Sequence, residues 1–343
     1  MKKLFLPLFL VSAVFFFGGV FAQDVAEEPA ESGPKMERLF TLPSVFPKTG
    51  RFAQTPWGDI ILTCPNTPAA GETEAHLPVF LRITPAGNYF LWGMSPVDPA
   101  SGTATPLDAA FGQDGYFYVL DNPAPTPEGK RPGRIIRMFV NEQNRPFGAE
   151  VVVYGMENPV AMAVFGENIY VLNHVTEGDE TVCAFLQFPL DTVIAEVRNV
   201  KDEPHVLDWH AAQGMPIPDF FFFTENGTFF IGNSAAGTLR WVVFADYVNF
   251  KKNENHNLRD GNLEPFRTIL AVTADDAGNL YILEDGENRI VRVSPEKEIT
   301  VLAENVLPGG EKPISAAMIV SGGKLYLTVN RKGDAAEVFA LAL

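Results

Sequence analysis

Short oxygen-bearing side chains recur in one setting in this sequence, directly after a run of apolar residues. Asp121 follows Phe117-Tyr118-Val119-Leu120, Asn173 follows Ile169-Tyr170-Val171-Leu172, and Asn233 follows Phe229-Phe230-Ile231-Gly232. Glu284 follows Leu280-Tyr281-Ile282-Leu283, Asn330 lies just beyond Leu325-Tyr326-Leu327-Thr328, and Cys64 takes the equivalent place after Ile60-Ile61-Leu62-Thr63. Carboxylate and amide oxygens gathered at one place suit a polar small molecule or a hard divalent cation such as calcium. The same short side chains also accept hydrogen bonds from backbone amides where strands end, so both readings stand. His174, next to Asn173, is a candidate ligand contact or base, and Asp219, after Pro218, is a candidate metal ligand. The remaining histidines, His76, His205, His210 and His256, are scattered, and no Cys-x-x-Cys pair occurs, so nothing has the spacing of a zinc site. Gly232-Asn233-Ser234-Ala235-Ala236 comes near a nucleophile elbow, but that motif needs a strand-to-helix turn and no helix is expected here.

The apolar runs that set up these positions are the second signal. Six of them recur at intervals of roughly 45 to 60 residues, which is the length of a unit of four short strands. In the fifth unit, Ala271 to Ala274 reads as one strand and Asp275 to Asn279 as a tight turn. Leu280 to Leu283, Asn288 to Val293 and Ile299 to Ala303 supply three more strands. A four-stranded meander that is apolar on both faces must stack against copies of itself. The sequence therefore predicts an all-β chain, a six-bladed β-propeller of four-stranded antiparallel blades. The sixth unit ends one strand short, and Arg38 to Leu42 is the segment expected to complete it and close the ring. Phe220 to Phe223 is expected on an inner strand, with alternate rings directed to the two neighbouring blades. In such a meander the start of strand one and the end of strand two lie on one face. The long connections Pro65 to Leu77 and Asn122 to Gly133 share that face, making it the expected binding surface. His205 to His210 is expected in the longest connection between blades, as a simple packed loop or as a lid or partner contact.

Two of the units carry a recognisable pattern. Gly278-Asn279-Leu280-Tyr281-Ile282-Leu283-Glu284-Asp285-Gly286-Glu287-Asn288-Arg289-Ile290 resembles the NHL repeat. Pro106-Leu107-Asp108-Ala109-Ala110 followed by Asp114-Gly115-Tyr116-Phe117-Tyr118-Val119-Leu120-Asp121 resembles both that repeat and the SMP-30/gluconolactonase propellers. The resemblance implies a six-bladed fold. It also implies lactone hydrolysis at a divalent cation held by acidic and amide side chains at the starts of the channel-lining strands. Here those positions read Gly50, Leu107, Val160, Asp219, Leu270 and Ile314, and only Asp219 matches.

Composition and the amino terminus bound the setting. The chain has 343 residues, 46% hydrophobic and 20% charged, with a formal net charge of −16, which disfavours phosphate backbones and anionic lipid surfaces as partners. Lys2 and Lys3, the apolar stretch Leu4 to Phe21 and the small residues before Gln23 read as a signal peptide over residues 1–22. An acidic leader over 23–35 and a propeller domain over 36–343 follow. The expectation is a secreted or periplasmic monomer without a membrane anchor after cleavage, in which Cys64 and Cys183 are either bridged or buried thiols. Two functions follow. One is a binding module that recognises a small molecule or a protein through the loop-rich face at Asp121, Asn173, His174, Asn233, Glu284 and Asn330. The other is a metal-dependent lactonase or esterase, in which a cation polarises the carbonyl and activates water. The lack of a complete catalytic set favours the first.

Overall fold

The computed structural model describes residues 36–43, 48–65, 78–98, 102–122, 133–195, 198–200, 205–210, 216–243, 266–307, 313–331 and 335–343. The signal and leader segments lie outside them. No helix among the described residues is long and apolar enough to cross a membrane.

Six antiparallel sheets succeed one another along the chain as blades of a closed ring. Blade 1 is Phe52–Gln54, Ile60–Cys64, Val79–Ile83 and Tyr89–Met94; blade 2 is Pro106–Phe111, Phe117–Asp121, Gly133–Val140 and Pro146–Met156. Blade 3 is Asn158–Phe165, Asn168–Glu177, Glu180–Pro189 and His205–His210, and blade 4 shows Phe220–Phe223, Thr228–Asn233 and Thr238–Val243 among the described residues. Blade 5 is Ile269–Ala274, Leu280–Glu284, Arg289–Val293 and Ile299–Glu304. Blade 6 takes Ser315–Ser321, Lys324–Asn330 and Glu337–Ala342 from the carboxyl end and Glu37–Thr41 from the amino end. That last strand pairs antiparallel with Glu337–Ala342, Glu37 opposite Ala340 and Thr41 opposite Glu337, so the ring closes by the expected segment, shifted by one residue.

The turns explain why such short strands stay in register. The same hairpin recurs at Thr55, Thr84, Gly112, Asn141, Thr224, Asp275 and Ser294. In each, the amide of the first residue donates to the carbonyl four residues on, and the fourth residue's amide donates back to the first. The fourth residue has a positive φ, between 58° at Asn144 and 88° at Gly58. Glycine supplies that conformation at most of these sites because it has no Cβ to clash, and Asn144 and Lys297 show that the turn tolerates a side chain.

The core lies between blades. Each second strand is sandwiched on both faces, so Ile60–Cys64, Phe117–Asp121 and Leu280–Glu284 are buried at every residue. Six apolar clusters correspond to the six blade junctions. Phe80, Trp92, Phe117 and Ile136 join blades 1 and 2, and Phe185, Phe221 and Phe229 join blades 3 and 4. Leu62, Leu81, Tyr326 and Val338 join blade 6 back to blade 1. Each such side chain contributes about 1.5–3 kcal/mol by leaving water, which is why a blade that is unstable alone becomes stable in the ring. Phe221 and Phe223 face blade 3 while Phe220 and Phe222 face blade 5, as the alternation requires. Cys64 is in the core between blades 6 and 1 and Cys183 in the core between blades 3 and 4, so no bridge joins them. Burial pushes the Cys64 thiol pKa upward.

Two features differ from the sequence reading. His205–His210 is not a connection between blades but the outermost strand of blade 3, paired with Glu180–Pro189 from Val182 opposite His210 to Leu186 opposite His205. Blade 2 carries a fifth strand: the helix Leu190–Ala195 leads to Arg198–Asn199, which pairs parallel with Val153 and Tyr154 on the blade's outer edge.

Candidate functional site

The side chains at the ends of the second strands perform one repeated task. Each ties down the backbone that leads into strand one of its own blade. Asp121 Oδ1 accepts from the Thr105 amide (2.5 Å), Asn173 Oδ1 from the Asn158 amide (3.0 Å) and Glu284 Oε1 from the Arg267 amide (3.3 Å). Asn233 Nδ2 donates to the Ile217 carbonyl (2.7 Å), while its Oδ1 accepts from the Ala236 amide (2.7 Å). In blade 1, Cys64 cannot do this, and Thr63 Oγ1 accepts from the Arg51 amide instead (2.9 Å). Asn330 reaches furthest: Oδ1 accepts from the Thr49 amide (2.8 Å) and Nδ2 donates to the Thr49 carbonyl and Ser315 Oγ (both 2.8 Å), stitching blade 6 to blade 1.

In blades 2, 3 and 4 the next residue along ties the next blade. Asn122 Nδ2 donates to the Pro159 carbonyl of blade 3 (3.0 Å), His174 Nε2 lies 2.7 Å from the Pro218 carbonyl of blade 4, and the Ser234 carbonyl accepts from the Ile269 amide of blade 5 (3.0 Å). The face at the ends of the second strands thus carries hydrogen bonds from blade 2 to 3, 3 to 4, 4 to 5 and 6 to 1, while the connections Pro65 to Leu77 and Asn122 to Gly133 lie almost entirely outside the described residues.

Two of the carboxylates are also neutralised from the third strand. Arg134, opposite Asp121 in the ladder, donates from Nε to Asp121 Oδ2 at 2.6 Å, with both side chains buried. Arg289, opposite Glu284, makes the equivalent pair at 3.0 Å. Burial raises the Asp121 pKa, against the pull of Arg134 and the Thr105 amide. Asp108, on the inner strand of blade 2, is likewise raised by burial. Its Oδ2 accepts from the Met162 amide of blade 3 (3.0 Å) and lies 3.7 Å from Arg51 Nε of blade 1. These arginines were not singled out from sequence. The available signal was Arg134-Ile135-Ile136 and Arg289-Ile290-Val291, the same pattern opening the third strand of the two blades whose second strand ends in an acid.

Between blades 3 and 4 the rim presents its most varied chemistry. His174, Asp219, Asn233 and Ser234 are all partly exposed there. Asp219 accepts from the Ser234 amide (2.9 Å) through Oδ1 and from Ser234 Oγ through Oδ2.

The positions at which the lactonase resemblance implies a cation do not fit one. Leu107, Val160 and Leu270 pack against the cores between blades, and at Gly50 a Cβ would fall 2.2 Å from Thr63 Oγ1. Asp219 has both oxygens engaged by Ser234. Among the described residues no group of three or more His, Cys, Asp or Glu is placed to hold a metal ion. Calcium, magnesium, manganese or zinc added after chelation is accordingly expected to leave the unfolding midpoint unchanged. A bound ion at about 100 times its Kd would add about 2.7 kcal/mol and raise the midpoint by several degrees. A rise of that size that Asp219→Ala abolishes overturns the expectation.

The architecture defines a closed six-bladed β-propeller. No protein-family model matches the sequence, and no curated protein sequence is recognisably similar to it. Among solved structures, the chain is similar to a protein assigned as a gluconolactonase, with 10% identity over 91% of this chain and 92% of that one and a TM-score of 0.52. It is also similar to a luciferin-regenerating enzyme, with 13% identity over 91% of this chain and 96% of that one and a TM-score of 0.51. At these identities the likeness is one of fold.

Proposed function

We propose that the chain is an exported binding propeller that recognises a small polar ligand or a protein segment on its loop-rich face. The observation that carries this reading is the rim of hydrogen bonds at the strand ends: Asp121, Asn173, Asn233 and Glu284 fix the starts of the inner strands of their own blades, and His174 and Asn330 reach the next blade. A surface fixed in this way loses little conformational freedom when it binds, which is what recognition by loops on a scaffold needs. The partly exposed His174, Asn233 and Ser234 offer donors and acceptors there. A lactone- or ester-hydrolase reading would require an activated water, and it rests on Asp219 alone.

The test is a thermal-shift panel of monosaccharides, aldonic acids, their lactones and the common amino acids, with product analysis of every lactone. At least one compound is expected to raise the midpoint without being consumed. His174→Ala and Ser234→Ala are each expected to weaken that compound by about tenfold or more. Turnover of a lactone, or binding that neither substitution weakens, overturns the proposal.

A further inference from the structure

The outer wall of the ring carries a second surface that the loop-rich face does not use. The outermost strand of blade 1, Tyr89–Met94, pairs on one side with Val79–Ile83 and on the other with no strand among the described residues. It exposes Phe90, Leu91 and Met94 at 54%, 59% and 53%. Isolated surface hydrophobics are ordinary, but three on one unpaired edge are not.

Beside this edge is a groove of about 370 Å³ lined by Arg82, Thr84, Phe90, Leu91, Trp92 and Arg145. Two contacts hold blades 1 and 2 together there. Trp92 Nε1 donates to the Asn144 carbonyl (2.6 Å), fastening the blade 2 turn that bears Arg145 to blade 1. Gly93 lets Pro146 approach so closely that a Cβ would fall 2.5 Å from Pro146 Cγ. Arg82 is already paired with Asp59, whereas Arg145 is exposed and makes no ion pair with the described residues. A guanidinium without an ion pair among the described residues, beside a tryptophan and a phenylalanine, stands out in a chain with 42 acidic against 26 basic residues.

The fold itself supplies the precedent for what such an edge takes. On blade 2, the equivalent edge is covered where Arg198–Asn199 of the same chain adds as a fifth strand. We infer that the blade 1 edge docks an extended segment of a partner protein as an added strand, with an acidic side chain of that segment on Arg145 and apolar neighbours against Phe90, Leu91 and Trp92. Backbone pairing would supply the affinity and the groove the selectivity, the general mode of strand addition to an open edge. The charge favours an acidic partner over a second copy of this chain. A two-fold contact presents the same patch to itself and would bring the arginines of the two copies together.

The inference goes beyond the loop-face reading, and its test involves different residues. A random dodecamer library is selected on the purified full chain, and enriched peptides are synthesised and titrated. Enriched sequences are expected to carry Asp or Glu between β-branched or aromatic residues. Arg145→Glu and Leu91→Asp are each expected to weaken these peptides by about tenfold or more. Methylation of alternate peptide amides should abolish binding, and Ile299→Asp on the exposed outer strand of blade 5 should leave it unchanged. Absence of enrichment, enrichment without an acid, or equal binding to Arg145→Glu overturns the inference. So does a dimer in sedimentation velocity that Leu91→Asp dissociates, because a second copy would then be the occupant. His174→Ala alters neither result, so this surface and the loop face fail independently.

Discussion

Replacing Asn330 by leucine is expected to lower the unfolding midpoint by about 10 °C and to loosen the ring at one seam. Asn330 is 3% exposed and engages both the amide and the carbonyl of Thr49, itself 5% exposed. Leucine has similar bulk but satisfies neither group, and each buried polar group left without a partner costs about 1–3 kcal/mol. The seam adds a second consequence. Blades 6 and 1 meet through Asn330 and through the cluster containing Leu42, Leu62, Tyr326 and Val338, and strand Glu37–Thr41 pairs at the outer edge of blade 6 while its Phe40 stacks on Tyr89 of blade 1. Hydrogen exchange should therefore accelerate first in Glu37–Thr41 and Phe52–Gln54, while the junction of blades 3 and 4 keeps its protection. Asn173→Leu supplies the comparison. Asn173 caps one amide within its own blade, and its loss should cost less and leave the seam protected. Equal destabilisation by the two substitutions, or exchange that rises uniformly around the ring, rules out a special role for the seam.

The sequence makes this seam legible because the sixth unit lacks a strand and one orphan strand-like segment precedes the first. The blade count, the inner position of the four phenylalanines and the turns at Asn226-Gly227 and Gly278 are legible for the same kind of reason, since period-2 patterning and turn chemistry are local. Coverage of an edge is not local. Arg198–Asn199 adds to blade 2 from a segment that follows blade 3's third strand, and nothing in two residues announces a partner that far back in the chain. The polar residues of His205–His210 read as a connection, and it is their pairing with Glu180–Pro189 that makes them a strand. The candidate site divides along the same line. That polar residues end the second strands is a pattern within single units and could be read. Whether their oxygens face a ligand or a backbone amide depends on the neighbouring strand, and it is the ladder partners Arg134 and Arg289, together with the amides of Thr105, Asn158 and Arg267, that take them up.

Arg134→Ala is the substitution expected to be most costly, and its cost should depend on pH in a defined direction. Asp121 is completely buried, and burial holds its carboxyl above the usual 3.8 even with Arg134 beside it. A carboxyl with a raised folded-state pKa contributes stability that is fully present below the unfolded value and is lost as pH rises through the folded one. Removing Arg134 removes the attraction that opposes the rise, so the folded pKa climbs further and that loss grows. In acid, near pH 4, Asp121 is largely protonated in the variant and the deficit relative to wild type should be small. At pH 8 the variant must either bury an unpaired carboxylate or take up a proton against the solution, at a cost of about 3–5 kcal/mol. For a chain of this size that corresponds to a midpoint drop on the order of 10 °C. Asp121→Asn in the Arg134→Ala background should recover much of the loss at pH 8, because the amide oxygen still accepts from Thr105 and no charge remains. The Glu284–Arg289 pair occupies the same register in blade 5, but Arg289 is 34% exposed. Water there replaces part of what the arginine supplied, so Arg289→Ala should cost only about 1 kcal/mol. A deficit in Arg134→Ala that is constant with pH, or that deepens towards acid, would mean that Arg134 acts through packing alone and that the Asp121 carboxylate is not what it neutralises.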